Sequence, residues 1–300
     1  MNPIQRLIER KLAAHKRKTA QRDALRAVQA YPRIADKAPH GLSSPLIVSL
    51  TSYAKRFATL DLTIKSLLDQ DIVIDQLLLW VSPEDLGQLP SSVRALEGAI
   101  FRAMPTKDIR SYTKLIPALH SHPECFILTA DDDIHYPSDW ARSIVEGYED
   151  GERMTVCRRA HMAAVGPDGT TLPYQQWPHA VDDAGDRGPG FALFPTGVGG
   201  VLYPPDTFDS EVLREDVFLD LCPYADDLWF FWLELVGGVK RRRIGRNHKF
   251  IAWPSTQEGG LLNDNLHLGR NDKQVSALEA RYGALRSFAD RCQWTPSFTS

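Results

Sequence analysis

Cysteine is scarce in this 300-residue chain: Cys125, Cys157, Cys222 and Cys292 lie far apart, with no CxxC pairing. That spacing argues against a zinc site or a disulfide framework and suits a reducing compartment. Long apolar runs are missing too. No stretch approaches the roughly 18 apolar residues of a membrane-spanning helix, and no apolar segment follows the basic start as in a secretory signal. The expected location is cytoplasmic. Charge is nearly balanced, at a net -3, but it is unevenly spread. Residues 1–40 carry ten Lys/Arg against three Asp/Glu, which leaves the rest of the chain acidic. An acidic body argues against nucleic acid as a partner. Internal repeats are absent, and the apolar content suffices for one large domain or two modest ones.

What is present begins with Ile4, Leu7, Ile8 and Leu12 at helical spacing, ringed by Arg6, Arg10, Lys11, Lys16, Arg17 and Lys18. Residues 1–40 thus read as a basic helical extension. Through residues 1–30 it could lie on anionic lipid at the inner membrane face, or serve as a solvated helix or oligomer contact. The linker at 37–45 leads into a body spanning 41–300. Strands are expected at 46–50, 76–81, 99–103 and 125–130, with helices at 57–69, 111–121 and 138–148 between and after them. Such alternation implies a mostly parallel sheet with right-handed crossovers. After residue 150 the texture changes. Short strands at 154–158, 162–165 and 201–203, a Gly/Pro/Asp-rich loop at 178–190 and helices from 225 and over 272–290 read as a mixed extension of the same sheet. The halves 41–150 and 151–300 divide the body into a nucleotide side and an acceptor side.

The most informative segment is Asp131-Asp132-Asp133, where an apolar strand ends in three consecutive carboxylates. Like charges that close repel, and burying them unpaired costs several kcal/mol, on the order of a lost ion pair each. Oxygen-only ligands point to a hard cation, Mg2+ or Mn2+. Open α/β sheets bind ligands at the carboxyl ends of their strands, where this triplet falls.

Several ordered features across 46–272 carry a family likeness. They are Thr51-Ser52-Tyr53 after the first strand, Ser66-Leu67-Leu68-Asp69-Gln70 at a helix end, the aspartate triplet, Gly197-Val198-Gly199-Gly200 before a strand, and Asp226-Asp227 at a helix start. In this order they resemble GT-A-fold glycosyltransferases of the family-2-like type, including galactofuranosyltransferase-type inverting enzymes. The resemblance implies an α/β, Rossmann-like, mostly parallel central sheet flanked by helices, with a mixed C-terminal acceptor-side extension.

It also implies a set of roles. Asp131 and Asp133 would hold Mn2+ or Mg2+, with Asp132 orienting the turn or the donor sugar; a shifted register makes Asp132 and Asp133 the working pair. His248 is the first choice for a third metal ligand and His267 its competitor. Thr51, Ser52, Tyr53, Arg56, Asp108, Arg110 and Lys114, with Asp131 and Asp132, would contact the nucleotide-sugar, expected to be a UDP-sugar. Asp227 and its neighbour Asp226 would be the catalytic carboxylates, Asp227 first as general base, and capping of the helix by Asp226 is compatible with that. Trp177 would offer a flat face to a glycan or glycolipid acceptor, and Gly199 and Gly200 would let it approach the backbone or else supply φ > 0 turns. The 178–190 loop would close over the donor.

The reading is a metal-dependent inverting glycosyltransferase of surface polysaccharide synthesis. One rival is a sugar-phosphate nucleotidyltransferase. It should carry a Gly-rich, basic loop straight after the first strand, and residues 51–57 contain no glycine. The other rival is a non-catalytic Ca2+- or carbohydrate-binding module.

Overall fold

The structure is a computed structural model, described here over residues 3–183, 187–245, 250–254 and 269–291. Its strands are β1 (Leu46–Thr51), β2 (Gln76–Val81), β3 (Phe101–Pro105), β4 (Phe126–Thr129), β5 (Ile134–His135), β6 (Met154–Cys157), β7 (Ala160–Met162), β8 (Leu193–Pro195), β9 (Val201–Tyr203), β10 (Lys240–Arg243) and β11 (Ile251–Ala252). Seven of them form one sheet in the order β10-β6-β9-β4-β1-β2-β3. β3, β2, β1 and β4 are parallel neighbours. β9 runs antiparallel between β4 and β6, and β10 is parallel to β6. The mostly parallel, helix-flanked sheet with a mixed second half matches the architecture expected from the sequence.

Strand alternation explains why both faces are covered. Leu46, Val48 and Leu50 enter one core, whereas Ile47 enters the other. Phe126 and Leu128 oppose Ile127 in the same way. Such strands read as unbroken apolar runs because each face needs its own partners. After α1 (Pro3–Gln29), α2 (Leu60–Leu68) buries Leu60, Ile64 and Leu67 on the first face. Two single-turn helices follow, α3 (Pro83–Leu86) and α4 (Ser91–Arg94). α5 (Ile116–Ser121) lies on the second face, and α6 (Trp140–Val145) returns to the first. α7 (Glu215–Leu221) and α8 (Asp226–Val236) complete the second face.

Several expected elements differ in detail. The helix expected over 57–69 begins as a tighter 3-10 turn, Ala54–Thr59, before α2. That expected over 111–121 divides into a 3-10 turn, Arg110–Lys114, and α5, in whose first turn Pro117 sits. A proline is harmless there because the N–H it lacks would have no helical acceptor. The helix expected over 272–290 is two, Arg270–Tyr282 and Leu285–Arg291, interrupted at Gly283 with φ 107°. β10 escaped the sequence reading because Lys-Arg-Arg-Arg looks like surface. Arg241 is fully buried instead, with Nε donating to Glu234 at 2.8 Å and the guanidinium stacked over Phe231.

The last turns of α1 settle on the body, where Ala24 and Val28 meet Trp253, while Ile8 and Leu12 remain about half exposed. Among the described residues no helix is long and apolar enough to cross a membrane.

Candidate active site at the carboxyl edge of the sheet

Parallel pairing of β1 with β4 sets Ser49 opposite Thr129, so three residues further along both chains Ser52 and Asp132 leave the sheet side by side. Ser52 Oγ donates to Asp132 Oδ2 at 2.6 Å. Arg56, on the 3-10 turn that follows, places Nη1 2.9 Å from Asp132 Oδ1 and 2.8 Å from Asp133 Oδ2. One guanidinium thus clamps two carboxylates. Burial pushes both aspartates toward protonation, and the Arg56 charge opposes it. For Arg56 burial works the other way, yet Asp132, a hydrogen bond with Tyr53 and Asp133 together hold its pKa above the ordinary arginine range.

The turn is shaped from behind by α2. Thr63 Oγ1 donates to the Asp132 carbonyl at 2.9 Å, and Trp253 Nε1 donates to Thr63 Oγ1 at 2.8 Å. Ser66 Oγ accepts from Tyr136 N at 3.2 Å. Gln70, fully buried, donates to the Pro137 carbonyl at 3.0 Å and accepts from Ala141 N at 2.9 Å. Tyr136 reaches back, its phenolic oxygen accepting from Asp131 N at 2.7 Å. The Ser66–Gln70 stretch therefore works as a bracket for the acidic turn. A buried amide or hydroxyl needs its partners, so each bond also fixes a position.

Across the cleft, Lys114 Nζ lies 3.5 Å from Asp131 Oδ1 and 3.9 Å from Asp226 Oδ2. Asp227 Oδ1 and Oδ2 each accept from Gly197 N at 3.1 Å. An added Cβ at Gly197 would run into Lys114 Nζ, the movable end of that side chain, and stand 3.2 Å from Asp227 Oδ1. Burial disfavours the Lys114 charge, but Asp131, Asp226 and Asp227 outweigh it and keep the ammonium charged well above its usual range. Asp227 is raised to about 7, first by burial and then by the Asp226 charge, against Lys114 and the Gly197 N–H. Asp131 is raised by burial, with Lys114 opposing and Asp133 adding to the rise.

The sequence-derived residues distribute unevenly around this cleft. Ser52, Arg56, Lys114, Asp131, Asp132, Asp133, Asp226 and Asp227 converge on it. Thr51 Oγ1 is turned to the Trp80 carbonyl at 2.8 Å, and Tyr53 is about half exposed with its ring 5.8 Å from the Arg56 guanidinium. Asp108 accepts from Arg110 N at 2.7 Å, while Arg110 Nη1 donates to the Pro223 carbonyl at 2.8 Å, which directs this pair toward the 223–224 turn.

Three expectations need correction. Trp177 is 2% exposed, packed on Tyr174, Phe194 and Phe231 with Nε1 donating to the Leu172 carbonyl, so it offers no face to a sugar. Gly199 and Gly200 have φ +90° and +99°, and added Cβ atoms would strike Phe250 and Trp140. Their smallness serves turning and packing. Asp226 does not cap α8, whose cap residue is Ala225; its Oδ2 is buried without a hydrogen bond. His248 and His267 lie outside the described residues.

Sequence reasoning missed Tyr136, Thr63, Thr196 and Arg159. Only Tyr136 had a legible signal, lying within the acidic turn itself. The others come from distant segments joined by the fold.

Among the described residues no group of three or more His, Cys, Asp or Glu forms a ready cage for a metal. Mg2+-type ions often take only one or two carboxylates and complete their shell with substrate phosphates and water. Asp131, whose proton affinity the Asp133 charge helps to raise, and Asp133 fit that smaller oxygen-only set.

No family model and no curated protein matches the chain. Among solved structures it is similar to the mannosyltransferase PcManGT from Pyrobaculum calidifontis, in complex with GDP-Man and Mn2+, at 14% identity over 89% of this chain and 72% of that one, with TM-score 0.48. It is also similar to 4-diphosphocytidyl-2C-methyl-D-erythritol synthase from Anaerococcus prevotii, at 12% identity over 75% and 96%, TM-score 0.45. A third likeness is CMP:2-keto-3-deoxy-manno-octonic acid synthetase complexed with CTP, at 12% identity over 75% and 100%, TM-score 0.41. These distant likenesses assign no role to any residue of this chain.

Proposed function

We propose that the chain is a metal-dependent, inverting glycosyltransferase that moves a sugar from a nucleotide-diphosphate donor, a UDP-sugar first among candidates, to a hydroxyl of a glycan or glycolipid. One observation carries the reading: Lys114 sits between Asp131 of the acidic turn and Asp226, while Gly197 holds the neighbouring Asp227 within the charge field of that same lysine. A diphosphate-gripping corner and a proton-accepting carboxylate thereby share one cleft.

Asp131 and Asp133 would hold Mn2+ or Mg2+, which when bound neutralises the leaving diphosphate. Lys114 and Arg56 add positive charge beside the phosphates. The Ser52–Asp132 bond keeps the turn in place. Asp227, with a pKa of about 7, is poised to accept the acceptor hydroxyl proton as the new bond forms. Its two contacts with Gly197 N orient the carboxylate. Direct displacement with one such base inverts the anomeric centre. The basic stretch of α1 around the half-exposed Ile8 and Leu12 would rest on anionic lipid, which suits an acceptor built at a membrane surface.

The test is incubation of the full chain with Mn2+ and a panel of UDP-, GDP- and CMP-sugars, reading nucleotide binding and slow donor hydrolysis. Absence of both across the panel would overturn the reading. Pyrophosphate released from a nucleoside triphosphate plus a sugar phosphate would instead place the site among nucleotidyltransferases. Ca2+ binding that needs no nucleotide would favour a binding module.

A further inference from the structure

Past the cleft, the carboxyl edge continues through the start of β9 to the end of β6, where Arg158 and Arg159 leave the sheet. Arg159 is half-buried, and Nη1 donates to Thr196 Oγ1 at 2.9 Å. The backbone doubles the tie, Thr196 N donating to the Arg159 carbonyl at 3.1 Å. Among the described residues no carboxylate pairs with Arg159 within 4.0 Å. The next residue after Thr196 is Gly197, whose N–H holds Asp227. One dipeptide thus ties both a guanidinium and the proposed base, and Arg159 feels the Asp227 charge. Burial leaves Arg159 less firmly protonated than an ordinary arginine, with neighbouring Tyr174 and Asp227 opposing that effect.

Five donors serve a guanidinium; Thr196 engages one of those of Arg159, and none of the others is buried without a partner, so they face space that a ligand's anion can enter. Arginine is also the side chain best shaped to grip phosphate or carboxylate by two parallel bonds. Its place on the edge says which substrate would bring that anion. β9 and then β6 lie beyond β4, so Arg159 stands about two strand spacings, roughly 10 Å, from the acidic turn. The donor diphosphate already has Arg56 and Lys114 on the β1–β4 side.

Resting on the glycosyltransferase reading for the identity of the two substrates, we propose that Arg159, positioned by Thr196, binds an anionic group of the acceptor, a phosphate or a carboxylate, and so presents the acceptor hydroxyl to Asp227. The enzyme would then act on an acidic glycan or on a phosphate-bearing acceptor and discriminate against neutral sugars. Leaving the guanidinium unpaired penalises a neutral acceptor, which is how a buried charged group creates selectivity.

Calorimetric titration tests this on the full chain saturated with UDP and Mn2+, using three probes: glucose 6-phosphate, glucuronate and methyl glucoside. The first two separate phosphate from carboxylate, and the third is neutral. At least one anionic probe should bind more tightly than methyl glucoside. Arg159→Ala should weaken it by about tenfold or more, the size of a lost charge-assisted bond. Arg159→Lys should restore part of that loss, and Thr196→Val should give a smaller loss than Arg159→Ala. UDP affinity should stay within about twofold throughout, since the proposed contact is not with the donor.

Equal binding of neutral and anionic probes, or anion binding that survives Arg159→Ala, would overturn the proposal. So would loss of UDP affinity in Arg159→Ala, which would move Arg159 to the donor. If wild-type protein binds no nucleotide with Mn2+, the glycosyltransferase reading fails first. The same anion titration without nucleotide then still decides whether Arg159 holds an anion.

Discussion

Ser52 Oγ donates to Asp132 Oδ2 at 2.6 Å across the gap between the ends of two parallel strands. That bond leaves the central aspartate of the triplet buried and committed, while Asp131, facing Lys114, remains open to the cleft. Three adjacent carboxylates thus divide: Asp132 builds the turn, Asp133 shares the Arg56 guanidinium with it, and Asp131 faces Lys114.

The clamp on that turn gives the first prediction. Removing Arg56 leaves Asp132 and Asp133 buried without their counter-charge, so Arg56→Ala should cost about 2–4 kcal/mol, reduced from the fully buried case because the guanidinium is partly exposed. Thermal melting with and without Mn2+ checks the cause. The ion should raise the melting temperature of the variant by more than that of wild type.

Asp227 predicts a pH dependence. In its proposed role as base Asp227 must be ionised, and its carboxyl is raised to about 7, so transfer should climb as pH rises through about 7 and level off above it. Asp227→Asn should lower transfer by roughly a hundredfold or more while nucleotide binding persists. Stability should move oppositely. A carboxyl raised in the folded state binds more protons folded than unfolded, so its contribution is present at low pH and fades from about pH 4 to about pH 7. Melting profiles of wild type and Asp227→Asn across that window should converge at low pH and separate as pH rises, with the variant the more stable.

Gly197 and Gly200 should respond differently to alanine. At buried Gly197 the added methyl runs into only the movable end of Lys114 and no positive φ adds strain, so the fold should survive with a melting point within a few degrees. Nucleotide binding should weaken as Lys114 is displaced. At Gly200, φ +99° and the Trp140 ring combine, and Gly200→Ala should cost about 2–4 kcal/mol from strain and overpacking together. Denaturant melts and nucleotide titration on both variants separate the effects.

Gln70 tests the bracket behind the site. Gln70→Leu keeps the volume but strands Ala141 N, while the Pro137 carbonyl keeps its bond from Trp140 N, at about 1–3 kcal/mol. If the residue positions the turn, the variant should also lose metal-supported nucleotide affinity, although Gln70 touches neither.

The amino-acid sequence by itself determined the alternation of apolar strands and helices that makes a parallel sheet, because strand period and helix period are local properties. It also placed three carboxylates at a strand's end and a pair of aspartates at a helix start, since those are neighbours in the chain. Tertiary structure alone decided what these charges do. Lys114 meets Asp131 and Asp226 only because the 3-10 turn, the strand end and α8 converge on one edge. Arg241 is interior and Trp177 is core for the same reason: burial is set by what packs on a residue from elsewhere. No spacing rule could have revealed Gly197 N beneath Asp227, or Thr196 beneath Arg159. Those contacts span about 30 to 40 positions and exist only once the sheet has closed.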